Sequence, residues 1–243
     1  LKVFVCSDIH GNIRALDAVL DVYRREYPCD FLFLGDCIGY GPHPDTCLDR
    51  ILGLPRASYV LGNHEHALLD ESERIHMSEF AAYVLDWSER VLDGRYDEVI
   101  ENEFKMEIDC ASYYAVHSSP GFPNNWPYLY TLLDAEEAFF SKEFHIGFVG
   151  HTHIPAIFSL KKGEQAFTED DPYILDRDDR YIINPGSVGQ PRDLNRNASC
   201  CVFDTREGTI TLYRCQYDVE AEMRDFVAAG LPRYLSDRLL TGS

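Results

Sequence analysis

The chain has 243 residues, 45% of them apolar, with 22 Lys and Arg against 41 Asp and Glu, a formal charge of -19. So acidic a surface repels polyanions, which argues against a nucleic-acid face or an anionic-membrane face and obliges any phosphate ligand to find its cation locally. No stretch stays apolar long enough to span a bilayer and the eight cysteines include no CxxC pair, so a cytoplasmic protein with reduced thiols and one domain over residues 1–243 is expected.

In chain order, the first apolar run, Val3 to Cys6, stops at Ser7, Asp8 and His10, and the second, Phe31 to Leu34, stops at Gly35-Asp36. Both are apolar at nearly every position, as strands buried on two faces are, and the segment between them has helical spacing at Ile13, Leu16, Val19, Leu20 and Tyr23, so a βαβ start is predicted. A third run, Ser58 to Leu61, leads into Gly62-Asn63-His64-Glu65. A second helix over Glu79 to Leu92 places Phe80, Tyr83, Val84, Trp87 and Val91 on one face as core.

Beyond it, Phe104 to Ile108 and Ser112 to Val116 read as a hairpin, as do Ala198 to Asp204 and Thr209 to Cys215. Between the hairpins, Tyr113 to Val116 ends in His117, Ile146 to Val149 ends in Gly150-His151-Thr152-His153, and Tyr181 to Ile183 leads into Asn184 to Arg192. Helices are expected after Asp134 and after Val219, and the acidic stretch from Lys161 to Arg180 reads as a solvated loop. Parallel strands first and antiparallel strands later imply mixed sheets with helices outside.

Loops leaving the carboxyl ends of strands are where such sheets build sites. Asp8 and His10 are two apart, as are His151 and His153, so an extended backbone sends each pair to one side. Asp36 has two oxygens and is the natural ligand to share between two cations. A lone DxH or HxH pair means little, but five strand ends each bearing ligand-type residues have no comparable structural explanation, since burying so many unpaired polar groups is costly. His, Asp and Asn donors suit borderline divalent ions, Mn, Fe or Zn. Structural roles suffice for His43, His76 and His145, His66 is left unassigned, and Glu65 is read as a packing or supporting group.

These residues, in this order, resemble the calcineurin-like metallophosphoesterase superfamily, whose blocks are DxH, GDxx, GNH followed by an acid, a lone His and GHxH. The segments Gly35 to Pro42 and Asn184 to Arg192 are similar to its small prokaryotic phosphodiesterase branch. The resemblance implies an α/β fold, a four-layer αββα sandwich of two mixed β-sheets flanked by helices, with two divalent metal ions at the sheet edge. It implies that Asp8, His10 and His153 hold one ion, that Asn63, His117 and His151 hold the other, and that Asp36 bridges. His64 adjoins Asn63 and is not needed as a ligand, so it falls to the leaving group, with a metal-bridging hydroxide attacking phosphorus.

The expected substrate is small and phosphorylated or a nucleotide: a phosphodiester, or a phosphoanhydride such as a dinucleoside polyphosphate. A phosphomonoesterase is the alternative reaction, and a non-catalytic metal-binding interaction scaffold the alternative of another class. One departure stands out: many superfamily phosphatases have Asp and Arg where this chain has Gly39 and Tyr40, which leaves the positioning of His64 and the phosphate clamp to other residues. Arg192 is the candidate substrate contact.

Overall fold

Alternation along the first strand sets the layering. In the computed structural model, which describes residues 1–243, β1 (Lys2–Cys6) turns Val3 and Val5 to one face and Phe4 and Cys6 to the other, all buried. Each such side chain contributes about 1.5–3 kcal/mol by leaving water. A strand of this kind needs cover on both faces.

The chain supplies it with two sheets. From β1 it passes through α1 (Ile13–Glu26) to β2 (Cys29–Phe33), through α2 (Pro44–Leu52) to β3 (Ala57–Val60), and through α3 (Asn63–Leu69), α4 (Glu79–Leu92) and α5 (Asp97–Glu103) to β4 (Phe104–Lys105). These four strands are parallel neighbours. Then follow β5 (Glu107–Asp109), β6 (Tyr114–Val116), α6 (Leu132–Ser141), β7 (Ile146–Phe148), β8 (Ala156–Ser159), β9 (Gly163–Gln165), β10 (Tyr173–Ile174), β11 (Tyr181–Asn184), β12 (Ala198–Asp204), β13 (Thr209–Cys215), α7 (Val219–Ala228) and α8 (Arg233–Thr241). The first sheet has the order β10-β13-β12-β1-β2-β3-β4 and the second β5-β6-β7-β11-β8-β9; both mix parallel and antiparallel pairs.

Val3, Val5, Leu32 and Leu34 meet Phe148, Ile157, Tyr181 and Ile183 between the sheets. Outside, α1 and α2 cover the first sheet, with Leu16, Val19, Leu20, Leu48 and Ile51 packed on Phe4, Phe31 and Phe33, while α6 covers the second through Ala135, Ala138 and Phe139. The expected αββα sandwich of two mixed sheets is the fold observed.

Three local expectations need correction. The run Phe104 to Ile108 is not one strand: Phe104 and Lys105 extend the first sheet beside β3, while Glu107 to Asp109 pair with β6 in the second, so the chain changes sheets at Met106. On α4 the buried residues are Ala81, Val84, Leu85, Ser88 and Leu92, and Tyr83 is 47% exposed. The small Ala81 and Ser88 fit against neighbouring elements, and Phe80 packs edge-on against Tyr234 of α8 at 5.4 Å. The acidic stretch from Lys161 contains β9 and β10, anchored by buried Asp179, which accepts from Ser159 Oγ at 2.5 Å and the Lys161 amide at 3.1 Å.

Candidate metal centre

Backbone hydrogen bonds continue past the strand ends and lock the loops together. The amides of Asp8, His10 and Gly11 donate to the carbonyls of Gly35 (3.0 Å), Asp36 (3.0 Å) and Cys37 (2.8 Å), and Gly150 donates to His117 (2.8 Å) across the second sheet. Loops from both sheets therefore meet at one edge of the sandwich. The turns are not extended: Asp8, His10, Asp36, His151 and His153 have φ of 55°, 46°, 61°, 63° and 62°. An L residue in the left-handed region costs about 1–3 kcal/mol, least for short polar side chains. The same-side placement of Asp8 with His10, and of His151 with His153, thus comes from paired left-handed turns, which correct the extended geometry expected from spacing alone.

Seven of the eight residues singled out as ligands or as the leaving-group histidine are at most 7% exposed, and their donor atoms converge. His153 Nε2 lies 3.2 Å from Asp8 Oδ1 and 3.2 Å from His10 Nε2. Asp36 Oδ2 lies 3.8 Å from His10 Nε2, 3.3 Å from His117 Nε2 and 4.0 Å from His64 Nε2. The ligand atoms of Asp8, His10 and His153, and those of Asp36, His117 and His151, fall within 4.8 Å of one another, as do those of His10, Asp36 and His64.

Backbone carbonyls fix which ring nitrogen faces inward. Nδ1 of His10 donates to Ile38 O (2.9 Å), that of His117 to Leu34 O (2.7 Å) and that of His153 to Gln190 O (2.7 Å), so each turns Nε2 to the centre. His151 does the reverse, donating Nε2 to Trp126 O at 3.1 Å and leaving Nδ1. Such outer bonds orient metal-ligating histidines. Burial holds His10, His64 and His153 below the ordinary imidazole range and pushes His151 down to about 3, which leaves lone pairs free. Burial acts on His117 in the same direction, but the adjacent Asp36 carboxylate outweighs it and lifts this ring to about 9. Burial also opposes ionisation of Asp8 and Asp36, yet His153 keeps Asp8, and His117 keeps Asp36, below the usual carboxylate range.

Asp8 Oδ1 and Asn63 Oδ1 are buried without a hydrogen-bond partner. Unpaired acceptors this deep cost free energy unless something electropositive meets them. The residues present fit divalent cations.

His64 is seated without the missing Asp. Its ring lies against Gly39, where an added Cβ would stand 2.2 Å from His64 Nδ1, and it packs 5.2 Å from Tyr40 and 5.0 Å from His10 between ring centroids. Its Nδ1 is buried and unpartnered, so Nε2 is the atom that faces the centre. Glu65 is fully buried and accepts from the amides of Asp36 (2.8 Å), Cys37 (2.7 Å), Ile38 (3.2 Å) and Gly62 (3.2 Å), tying the loop after β2 to the start of α3. Burial and the nearby Asp36 carboxylate push its carboxyl up to about 7 against those four donors.

A cleft of about 220 Å³ opens above the centre, bordered by Tyr40, His64, Met77, Trp126, Tyr128 and Arg192. Trp126 and Tyr128 gave no signal in the sequence, because they lie in an irregular segment; the Tyr128 ring stacks on His151 at 4.2 Å. His66 packs near Trp126 at 5.5 Å, His76 lines the cleft, and His145 Nε2 donates to Arg177 O at 2.7 Å. His43 belongs to a second cluster: its Nε2 is 2.9 Å from Asp225 Oδ2, and Arg14 Nη1 reaches both Asp225 and, at 2.8 Å, the fully buried Glu222.

A two-sheet sandwich with histidine and carboxylate loops converging at one edge defines a metal-dependent phosphoesterase. The calcineurin-like phosphoesterase superfamily domain matches residues 1–208, and the chain belongs to that superfamily. It is similar to a metallophosphoesterase of Sphaerobacter thermophilus (31% identity, TM-score 0.87, covering 100% of this chain and 99% of that one). An uncharacterized protein of Methanocaldococcus jannaschii is 34% identical over 250 residues, 99% of this chain and 98% of its own length. A hypothetical protein of Pyrococcus horikoshii shares the fold at 18% identity and a TM-score of 0.81, covering 100% of this chain and 98% of that one. No helix is long and apolar enough to cross a membrane.

Proposed function

We propose that this metal-dependent phosphoester hydrolase is binuclear and cleaves phosphodiesters or nucleotide phosphoanhydrides. Asp8, His10 and His153 hold one divalent ion, Asn63, His117 and His151 the other, and Asp36 bridges them. The observation that carries this is the position of Asp36, which groups with His117 and His151 on one side and lies 3.8 Å from His10 of the Asp8, His10 and His153 group on the other, with carbonyl-locked imidazoles and unpartnered buried acceptors beside it. Nitrogen and oxygen donors without thiolate favour Mn, Fe or Zn. Bound there, the two ions supply charge that neutralises phosphate oxygens and acidifies a water nucleophile.

The chain's own residues do the rest. His64 turns Nε2 to the cleft, 4.0 Å from Asp36 Oδ2, and although its ring groups with His10 and Asp36 it is assigned to the leaving group: it takes up a proton when the anionic substrate enters and passes that proton to the leaving oxygen. Arg192, at the cleft wall with Nε unpartnered, holds phosphate oxygens where other members use the Arg that Tyr40 replaces. Trp126 and Tyr128 narrow the cleft and exclude water. Residues 1–243 act as one domain, which is supported by β1 pairing with both β2 and β12. Eight unpaired cysteines support a reducing, cytoplasmic setting.

The test is metal analysis of the purified protein together with a substrate panel of diesters, monoesters and dinucleoside polyphosphates in Mn. Two ions per chain and turnover of diesters or anhydrides are expected. A preference for monoesters would reverse the substrate assignment, and a single ion per chain would remove the bridging role of Asp36.

A further inference from the structure

Four backbone carbonyls lock imidazoles of the centre, and they are not equally fixed. Leu34, Ile38 and Gln190 are themselves held through their amides, which donate to Cys6 O (2.9 Å), Glu65 Oε1 (3.2 Å) and Ser187 Oγ (2.8 Å). Trp126, whose carbonyl holds His151 Nε2 at 3.1 Å, lies in the irregular segment between β6 and α6. Its own amide makes no hydrogen bond, and the next residue, Pro127, has none to offer.

Trp126 also holds an unfavourable backbone. Its φ is 50°, a region that bulky L residues avoid, and a following proline pushes a residue toward extended structure. Such a conformation persists only where its surroundings fix it. The indole supplies that hold, packing 5.5 Å from the His66 ring and 6.0 Å from the His117 ring between centroids. Just past Pro127, the Tyr128 ring lies nearly parallel to His151, with centroids 4.2 Å apart and planes 14° apart, and Tyr130 stacks on Tyr128 at 5.1 Å. His151 is thus gripped at its edge by the Trp126 carbonyl and on its face by the Tyr128 ring.

We infer that Trp126 and Tyr128 are positioning residues for His151, which fix its Nε2–H form and present Nδ1 to the second ion, so that this ion alone depends on a segment outside both sheets. This rests on the two-ion reading above and adds an asymmetry to it. The residues that hold the first ion, Asp8, His10 and His153, are fastened without the segment.

Calorimetric titration of Mn²⁺ into chelator-stripped protein reads the two ions separately. Loss of the partner that orients a metal-ligating histidine costs about ten- to a hundredfold in metal affinity. Trp126→Ala removes the indole and leaves a residue that avoids left-handed backbone, so it is expected to weaken one ion by that factor and to leave the other as in the wild type. Trp126→Gly loses the same indole but accepts the turn, and is expected to lose less; a ring that served packing alone would rank the two variants the other way. Tyr128→Ala should also weaken one ion of the two, while Tyr128→Phe, which keeps the ring, should not. Tyr128 is 47% exposed, so its variants test the grip even where loss of the indole unfolds the segment. Wild-type affinity for both ions in Trp126→Ala and Tyr128→Ala, equal weakening of both ions, or a greater loss in Trp126→Gly than in Trp126→Ala would overturn the inference and leave the two-ion reading standing. A wild type that binds a single ion would instead remove that reading, and the inference with it.

Discussion

The molecule gathers histidine and carboxylate in two clusters, one buried and one with only Glu222 buried, and they handle the charge of their carboxylates differently. Around His43, Glu222 and Asp225 the cation is built in, because Arg14 contacts both carboxylates. Around Asp8 and Asp36 there is no arginine or lysine among the converging groups, only imidazoles that burial mostly keeps neutral, and acceptors that stay unpaired. Similar residue types thus make a partly exposed structural joint in one place and a buried receptor for cations in the other. What separates them is whether the chain supplies its own positive charge.

The largest expected effect falls on the receptor. Asp36→Asn removes the carboxylate proposed to be shared by two ions and is expected to lose at least one ion and about a thousandfold or more in turnover; full metal content by elemental analysis would contradict the bridge. His64→Ala is next. It should retain both ions and lose about a hundred- to a thousandfold in kcat, whereas unchanged kcat would take the leaving-group role from His64.

At the joint the expectation is stability without catalysis. Arg14→Met strands the buried Glu222 and is expected to cost about 2–3 kcal/mol in denaturant unfolding, at the low end for buried pairs because Arg14 is one-third exposed, with two ions per chain retained. Altered metal content in that variant would blur the comparison.

The smallest effect concerns pH in chelator-stripped protein. The folded pKa of His117, about 9, lies above its ordinary 6.5, so its stabilising proton is fully present below pH 6.5 and is lost as pH rises through 9. Stripped protein should therefore lose about 1–2 kcal/mol across that window, while metal-loaded protein, with a cation in place of the proton, holds a constant melting temperature. Parallel declines in both forms would show that something other than His117 titrates.

Much of this was legible before any coordinate. Apolar runs ending in Asp8, Asp36, Asn63, His117 and His151 located the centre, because a strand buried on two faces has a strong pattern and its end is abrupt. What escaped depends on where irregular backbone travels. The carbonyls of Leu34, Ile38, Trp126 and Gln190 that lock the imidazoles have no sequence signature, since every residue carries a carbonyl. The change of sheets at Met106 lay hidden in one continuous β-like run. The seat of His64 on Gly39 shows how a missing carboxylate is replaced by shape, which a motif comparison registers only as a departure.

The left-handed turns at Asp8, His10, Asp36, His151 and His153 also constrain how this protein can change. Asn, Asp, His and Gly are the residue types that tolerate such backbone, and three of them are ligands. Drift at these positions is therefore channelled toward other metal donors or toward glycine, which would relax the turn and firm up the metal-free fold while abolishing the site. Selection for thermal robustness alone would erode this centre, so its persistence in a lineage would itself record that the chemistry is in use.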